Sequence, residues 1–369
     1  LVISSLDRGG AERILSILAN AWAGQGRQVT LITFDDREAP AYPIHPSVVL
    51  DSLHILNEPT ANARHALRRN LRRVRLLRTA IRRSQPDVVI GFMDFPSIVT
   101  LLATRGLGVP VIVSERTNPR HVKLKTVWNF LRRHLYPFAA ALVCPTSAMA
   151  ALFQQEIKVA AYTIPNPVEP PPASYLDKPK GGNSDARTII AMGRLAPEKG
   201  FDFLLEAFAR VAGRHPEWSI KVLGKGPLKD ELEAKTESLG LKGRVRFEGA
   251  VSDPFPILSA ADLFVLSSRF EGFPNALTEA MACGLPVISF DCPTGPGDII
   301  RDGVDGILVP AEDTASLATA MDNLMSDAAA RARLSSHAVE VVTRFSLEKV
   351  MALWEQLFVV ILPGKMRSL

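Results

Sequence analysis

Short apolar, β-branched runs alternate along this chain with longer stretches whose apolar residues recur every three or four positions. That alternation predicts parallel sheets with helices on their faces. In the first half, strands are predicted over residues 1–6, 29–34, 87–92, 109–114 and 141–145, with helices over 11–25 and 64–84. Residues 164–185 then read IPNPVEPPPASYLDKPKGGNSD, rich in Pro, Gly and polar residues and without apolar period. That is linker composition. A second strand series is predicted over 188–192, 219–223, 245–248, 262–267, 286–290 and 306–309, with a helix over 201–212. In the tail, Val350, Leu353, Trp354, Leu357 and Ile361 make one apolar face of a helix over 346–362. The expected fold class is α/β, with two Rossmann-like halves. Their bounds are expected at 1–165 and 187–345, with a linker at 166–186 and a C-terminal helix in 346–369.

Length and composition fit that division. The 369 residues suffice for two ordinary cores, and 47% hydrophobic with 22% charged residues suits a globular protein. Cys144, Cys283 and Cys292 lack metal-ligand spacing and are expected as reduced thiols. No apolar run nears the roughly 20 residues that span a bilayer. The chain opens on Leu1-Val2-Ile3 with no basic segment ahead of it. No secretory leader is expected, and a few residues are expected to precede Leu1.

Charge changes the picture more. Residues 1–170 carry 21 Lys/Arg against 12 Asp/Glu, a net +9, while the remainder carries 22 against 26, a net −4. A basic first half suits an anionic surface or a phosphorylated substrate. Residues 64–83 hold nine arginines and no acid. Leu67, Leu71, Val74, Leu77 and Ile81 share one helical face there, expected to pack on the sheet and leave the arginines outside. That basic outer face is a candidate for peripheral contact with anionic lipid. Nucleic acid fits less well, because no aromatic residues are interleaved.

Candidate chemistry lies where strands run into glycine-containing loops before helices. In the first half, Gly9 and Gly10 follow the first strand, at a turn where backbone amides can approach an anion. In the second half, Arg194 and Lys199 share one loop after a strand, a fork and a point charge able to bracket a pyrophosphate. Gly224 and Gly226 lie on the next strand's loop. A third loop carries Glu271, Gly272, Phe273, Pro274, Asn275, Ala276 and Leu277, with Glu279 on the helix that follows. Two carboxylates eight positions apart can accept sugar or ribose hydroxyls, and amides at the helix start can meet phosphate. No Asp-x-Asp pair ends a strand, so no metal is expected.

These motifs in order, with Cys283-Gly284-Leu285-Pro286-Val287-Ile288, Gly9-Gly10-Ala11-Glu12-Arg13 and Ile164-Pro165-Asn166-Pro167, strongly resemble glycosyltransferase family 4. The resemblance covers nearly the whole chain. It implies the GT-B fold, two doubly wound parallel-sheet domains facing a central cleft, and a retaining, metal-independent transfer. By motif position, Arg194 and Lys199 would hold the donor diphosphate, Glu271 the transferred sugar and Glu279 the ribose. The loop amides of residues 273–277 would serve sugar and phosphate, and Gly9 and Gly10 would lie beneath the cleft. Many relatives carry a His after the strand at 109–114. This chain has Ser114-Glu115-Arg116-Thr117-Asn118-Pro119-Arg120-His121 instead, so Asp94, Glu115, Arg116 and His121 are the candidates for that place.

The segment DCPTGPGDII at 291–300 resembles transferases that use UDP-hexoses or UDP-N-acetylhexosamines on polyprenyl-linked glycans. The expected partners are thus a UDP-sugar donor and a glycan or polyprenyl-diphosphate-linked acceptor. The expected place is cytoplasmic, peripheral on the inner face of the membrane. The alternatives are a GDP-mannose-dependent mannosyltransferase and an enzyme like UDP-N-acetylglucosamine 2-epimerase.

Overall fold

The computed structural model describes residues 1–35, 39–55, 63–120, 124, 126–176 and 186–363. His121 and linker residues 177–185 lie outside them. The chain forms two units, Leu1–Asn166 with Glu348–Leu369, and Pro167–Leu347.

The first unit holds a sheet of β1 (Val2–Ile3), β2 (Thr30–Thr33), β3 (Val49–Ser52), β4 (Val89–Phe92), β5 (Val111–Ser114), β6 (Ala141–Cys144) and β7 (Ala161–Thr163). Every described pairing is parallel, in the order β3-β2-β1-β4-β5-β6-β7. The strands β4, β5 and β6 are buried throughout, as continuous apolar runs between helical layers require. The edge strands β3 and β7 escaped the sequence pattern. Val49 is 58% exposed and Tyr162 is 36% exposed, so neither strand shows an unbroken apolar run. The helix Leu347–Ile361 belongs mostly to this unit. Its Trp354 meets Trp22 edge-on at 5.5 Å, and Arg27 pairs with Glu355 while lying over Phe358.

The helix Ala63–Ser84 corrects one expectation. Leu77, Ala80 and Ile81 are buried, but Leu67 and Leu71 are 62% and 47% exposed, so the predicted apolar face packs only along its C-terminal half. Nor do all its arginines face out. Arg73 is buried and donates to the Ile55 carbonyl, and Arg78 donates to the carbonyls of Ala103 and Arg105.

The second unit repeats the plan with β8 (Arg187–Met192), β9 (Trp218–Leu223), β10 (Val245–Gly249), β11 (Leu263–Leu266), β12 (Val287–Asp291) and β13 (Ile307–Pro310), ordered β10-β9-β8-β11-β12-β13. Ile189, Ile220, Leu263 and Ile288 fill one side of the sheet against the helices Phe201–Val211 and Thr314–Ser326. Ile190, Phe264 and Val287 fill the other against the helix Asn275–Ala282. Within the linker region Val168 is buried and donates its amide to the Phe345 carbonyl, so residues just after Asn166 are already part of this unit.

In each sheet the order reverses once, between β1 and β4 and between β8 and β11. Open α/β sheets bind ligands beyond the strand ends at such a point.

Candidate functional site

In the second unit the loops after β8 and β11 meet at the reversal. Met192 ends β8, Gly193 and Arg194 follow, and a short turn Pro197–Lys199 brings Lys199 back toward the sheet. Gly200 closes that turn at φ +58°, and a Cβ there would sit 2.0 Å from the Ser267 carbonyl oxygen. The two loops therefore touch backbone to backbone. Arg269 locks them further: it donates to the Pro197 carbonyl at 2.6 Å and to both Asp202 oxygens at 2.9 and 2.7 Å.

On this frame Lys199 Nζ donates to Glu271 Oε1 at 2.6 Å, and Ser268 Oγ donates to the same oxygen at 2.7 Å. Among the described residues none donates to Oε2. The Glu271 side chain is 8% exposed and that of Lys199 is 23% exposed. Thr294, at φ +62°, donates to the Glu271 carbonyl at 2.7 Å, and Gly295 lies so close that a Cβ would come within 3.0 Å of Glu271 Cβ. Ser268, Thr294 and Asp202 were not singled out in the sequence, where nothing marks which hydroxyl or carboxylate folds back on which loop. Cys292 lies nearby, and burial followed by the Glu271 charge pushes its thiol up to about 12.

The structure sorts the remaining second-unit candidates. Arg194 is exposed at the end of β8. Gly224 and Gly226 shape the site through close packing: a Cβ would lie 1.9 Å from the Gly193 oxygen at the first and 2.2 Å from the Leu195 oxygen at the second. Glu279 is half-buried on the helix Asn275–Ala282, which no side chain caps. The expected set of ligand-facing amides shrinks. Pro274 has no N–H, and the Leu277 amide is bonded to the Pro274 carbonyl at 3.0 Å. Phe273 is buried edge-on to Phe345, so its ring serves the core. Gly272 in the loop and Asn275 and Ala276 at the start of the helix stay half-exposed.

The first unit gathers its candidates in the same way. Gly9, with extended backbone, precedes the helix Gly10–Gly24 after β1. Beside it, Asp94 opens the helix Asp94–Thr104 after β4, following Met93 at φ +69°. Glu115 follows β5, is 1% exposed, and accepts a hydrogen bond from Tyr136. Burial, then the charge of Asp94, raises its carboxyl to about 8. Arg116 is 8% exposed, and burial lowers its guanidinium to about 10, so it stays charged at neutral pH. Its Nη1 donates to Asn166 Oδ1 at 2.6 Å. Tyr136 and Asn166 are thus partners that the sequence did not assign to these residues. Among the described residues no group of three or more His, Cys, Asp or Glu side chains could hold a metal ion.

Glu115 gives the first unit a pH dependence. An unfolded Glu ionises near 4.3, so between there and about 8 the native state holds one proton more than the unfolded state. Its contribution is full below pH 4 and is lost as pH rises toward 8. Between pH 6 and 7 the wild type is expected to lose about 1 kcal/mol more stability than Glu115→Gln in urea unfolding. Parallel pH profiles for the two proteins would sink this assignment.

Residues 8–170 match the family model described as Glycosyltransferase Family 4, and residues 186–327 match Glycosyl transferases group 1. A Campylobacter jejuni protein, the GalNAc-alpha-(1->4)-GalNAc-alpha-(1->3)-diNAcBac-PP-undecaprenol alpha-1,4-N-acetyl-D-galactosaminyltransferase, is 30% identical over 359 residues, 96% of each chain. The chain belongs to glycosyltransferase family 4.

The transferase is also 34% identical over 223 residues to LpsE of Rhizobium meliloti, a lipopolysaccharide core biosynthesis glycosyltransferase, covering 58% of this chain and 63% of that one. Among solved structures, Anabaena Alr3699/HepE in complex with UDP superposes with a TM-score of 0.76 at 21% identity, over 96% of this chain and 98% of that one. The sucrose-phosphate synthase of Thermosynechococcus elongatus gives 0.81 at 20% identity, over 97% of each chain. The fold is GT-B, as the motifs implied.

Proposed function

We propose that the transferase moves a hexose or N-acetylhexosamine from a UDP-sugar to a glycan acceptor, with retention, in assembling a surface polysaccharide or lipid-linked oligosaccharide. The observation that carries this reading is the meeting of Lys199 and Glu271 at the β8/β11 reversal, with Arg194 on the same loop as Lys199. Lys199 gives one of its three N–H bonds to Glu271, which leaves two directions for a diphosphate. When the sugar–phosphate bond breaks, negative charge grows on the departing diphosphate, where fixed cations stabilise it without rearrangement. Glu271 faces the sugar that develops positive charge, and Glu279 receives the ribose hydroxyls. The acceptor oxygen attacks from the face the diphosphate leaves, and the leaving phosphate takes its proton. With two cations at the diphosphate, this reading needs no divalent metal, and turnover should persist in EDTA.

Support comes from the relatives. HepE was solved with UDP, and the Campylobacter enzyme's name gives it an undecaprenol-linked substrate and an N-acetylgalactosaminyl transfer. The test is calorimetric titration with UDP, GDP and ADP. UDP should bind best, and Glu279→Ala should weaken it about tenfold, the loss of one charge-assisted hydrogen bond. Preference for GDP would favour the mannosyl reading, and sugar-nucleotide conversion without acceptor the epimerase. Unchanged UDP affinity in Glu279→Ala would remove that residue's role.

A lipid-linked acceptor places the first unit near anionic membrane. No described helix is long and apolar enough to cross one. The exposed Leu67 and Leu71 stand among the exposed Arg64, Arg68 and Arg75, a basic surface with apolar points suited to peripheral contact. The transferase should pellet with anionic liposomes at low salt and be released at high salt. Equal pelleting with neutral liposomes would rule out this electrostatic contact.

A further inference from the structure

Arg116 stands two residues beyond β5, buried, with its guanidinium 5.2 Å over the Phe92 ring at the end of β4. Only Nη1 is bonded, to Asn166 just beyond β7. Its Nε and Nη2 reach no acceptor among the described residues. Those two atoms carry the parallel N–H bonds of the guanidinium's side edge, which fits two oxygens of one carboxylate or phosphate. A buried cation with that edge open is costly unless something fills it.

The surroundings leave the charge uncancelled. Glu115, the adjacent acid, is bonded to Tyr136 and held largely protonated at neutral pH, and burial holds the Cys144 thiol neutral. Two buried hydroxyls on the same edge of the sheet also lack partners, Ser114 Oγ at the end of β5 and Thr146 Oγ1 just beyond β6. Thr146 precedes the helix Ser147–Ile157, yet its side chain makes no capping bond. Unpaired hydroxyls on the same sheet edge as an unpaired guanidinium edge are the donor types that phosphate oxygens accept from.

We infer that Arg116, held in place by Asn166, is an oxyanion site of the first unit that takes a phosphate or diphosphate through Nε and Nη2. All the residues of this site lie in the first unit, whereas the loops of Lys199 and Glu271 lie in the second. Its occupant is either a free inorganic anion or the phosphate of a diphosphate-linked acceptor; the second source rests on the acceptor reading above.

The experiment follows the Arg116 Nε–H signal in ¹⁵N-labelled full-length protein, identified by its absence in Arg116→Lys, which keeps the charge. Titration with inorganic phosphate and pyrophosphate should shift that signal to saturation. Asn166→Ala, which frees Nη1, should weaken the titration by up to about tenfold. If Arg116→Lys does not fold, the peak that Asn166→Ala displaces supplies the identification. A short polyprenyl diphosphate binding at least tenfold tighter than pyrophosphate assigns the site to the acceptor, and equal binding assigns it to the free anion. A signal that stays fixed while resonances of the second unit respond overturns the site. That outcome leaves the donor reading standing, because UDP titration reports on it separately.

Discussion

Lys199→Ala is expected to lower kcat/KM about 100- to 1,000-fold, the usual loss when one preorganised donor to a developing oxyanion is removed. The same change has a structural consequence, because Glu271 is left with the Ser268 hydroxyl as its one described side-chain donor. Breaking a buried ion pair from one side costs more than the pair itself contributes. Here the expected cost is about 2–3 kcal/mol, below that of a fully buried pair because Lys199 keeps 23% exposure. The two effects separate in a double variant. Lys199→Ala with Glu271→Gln removes the stranded carboxylate, so most of the stability should return while turnover stays low. Urea unfolding and steady-state kinetics on the single and double variants check this. Turnover that recovers along with stability would mean the pair is architectural and would sink the diphosphate role.

Gly224→Ala is expected to destabilise the second unit by at least about 3 kcal/mol. Gly224 has φ +150°, and the added Cβ would lie 1.9 Å from the Gly193 carbonyl oxygen, so backbone must move. For a domain of 150–250 residues that lowers Tm by roughly 6–12 °C. The displaced segment leads into Arg194, so UDP affinity should fall in the same variant. Gly240→Ala is the control. It also has positive φ, at +71°, but nothing lies within 4 Å of its Cβ, so only the backbone term of about 1 kcal/mol applies. Equal losses at the two positions would show that conformation alone, and not the contact between the β8 and β9 loops, fixes Gly224.

Much of the frame of the second-unit candidate site was legible before any coordinates. Buried parallel strands need unbroken apolar runs, and strand, glycine loop and helix follow one another at each candidate turn. Arg194, Lys199, Glu271 and Glu279 could therefore be picked out as candidates, and the strands ahead of them could be read as strands. The edge strands β3 and β7 could not, because half-exposed strands of three or four residues carry no such run. Residues 273–277 were readable as a loop entering a helix, but which amides turn inward to Pro274 is a matter of local closure that residue type does not encode.

By itself the sequence determined that there are two α/β units and which loops carry charge, because both follow from local pattern: apolar runs, helical period and glycine after a strand. Only the tertiary structure decided the meetings. Lys199 and Glu271 are 72 residues apart, brought together where the strand order reverses between β8 and β11, and Arg116 and Asn166 are 50 apart, brought together by the side-by-side pairing of β5, β6 and β7. Only burial decided that Glu115 holds its proton and that Arg116 keeps an open edge. The cost of a buried charge depends on what surrounds it, and those neighbours come from distant parts of the chain.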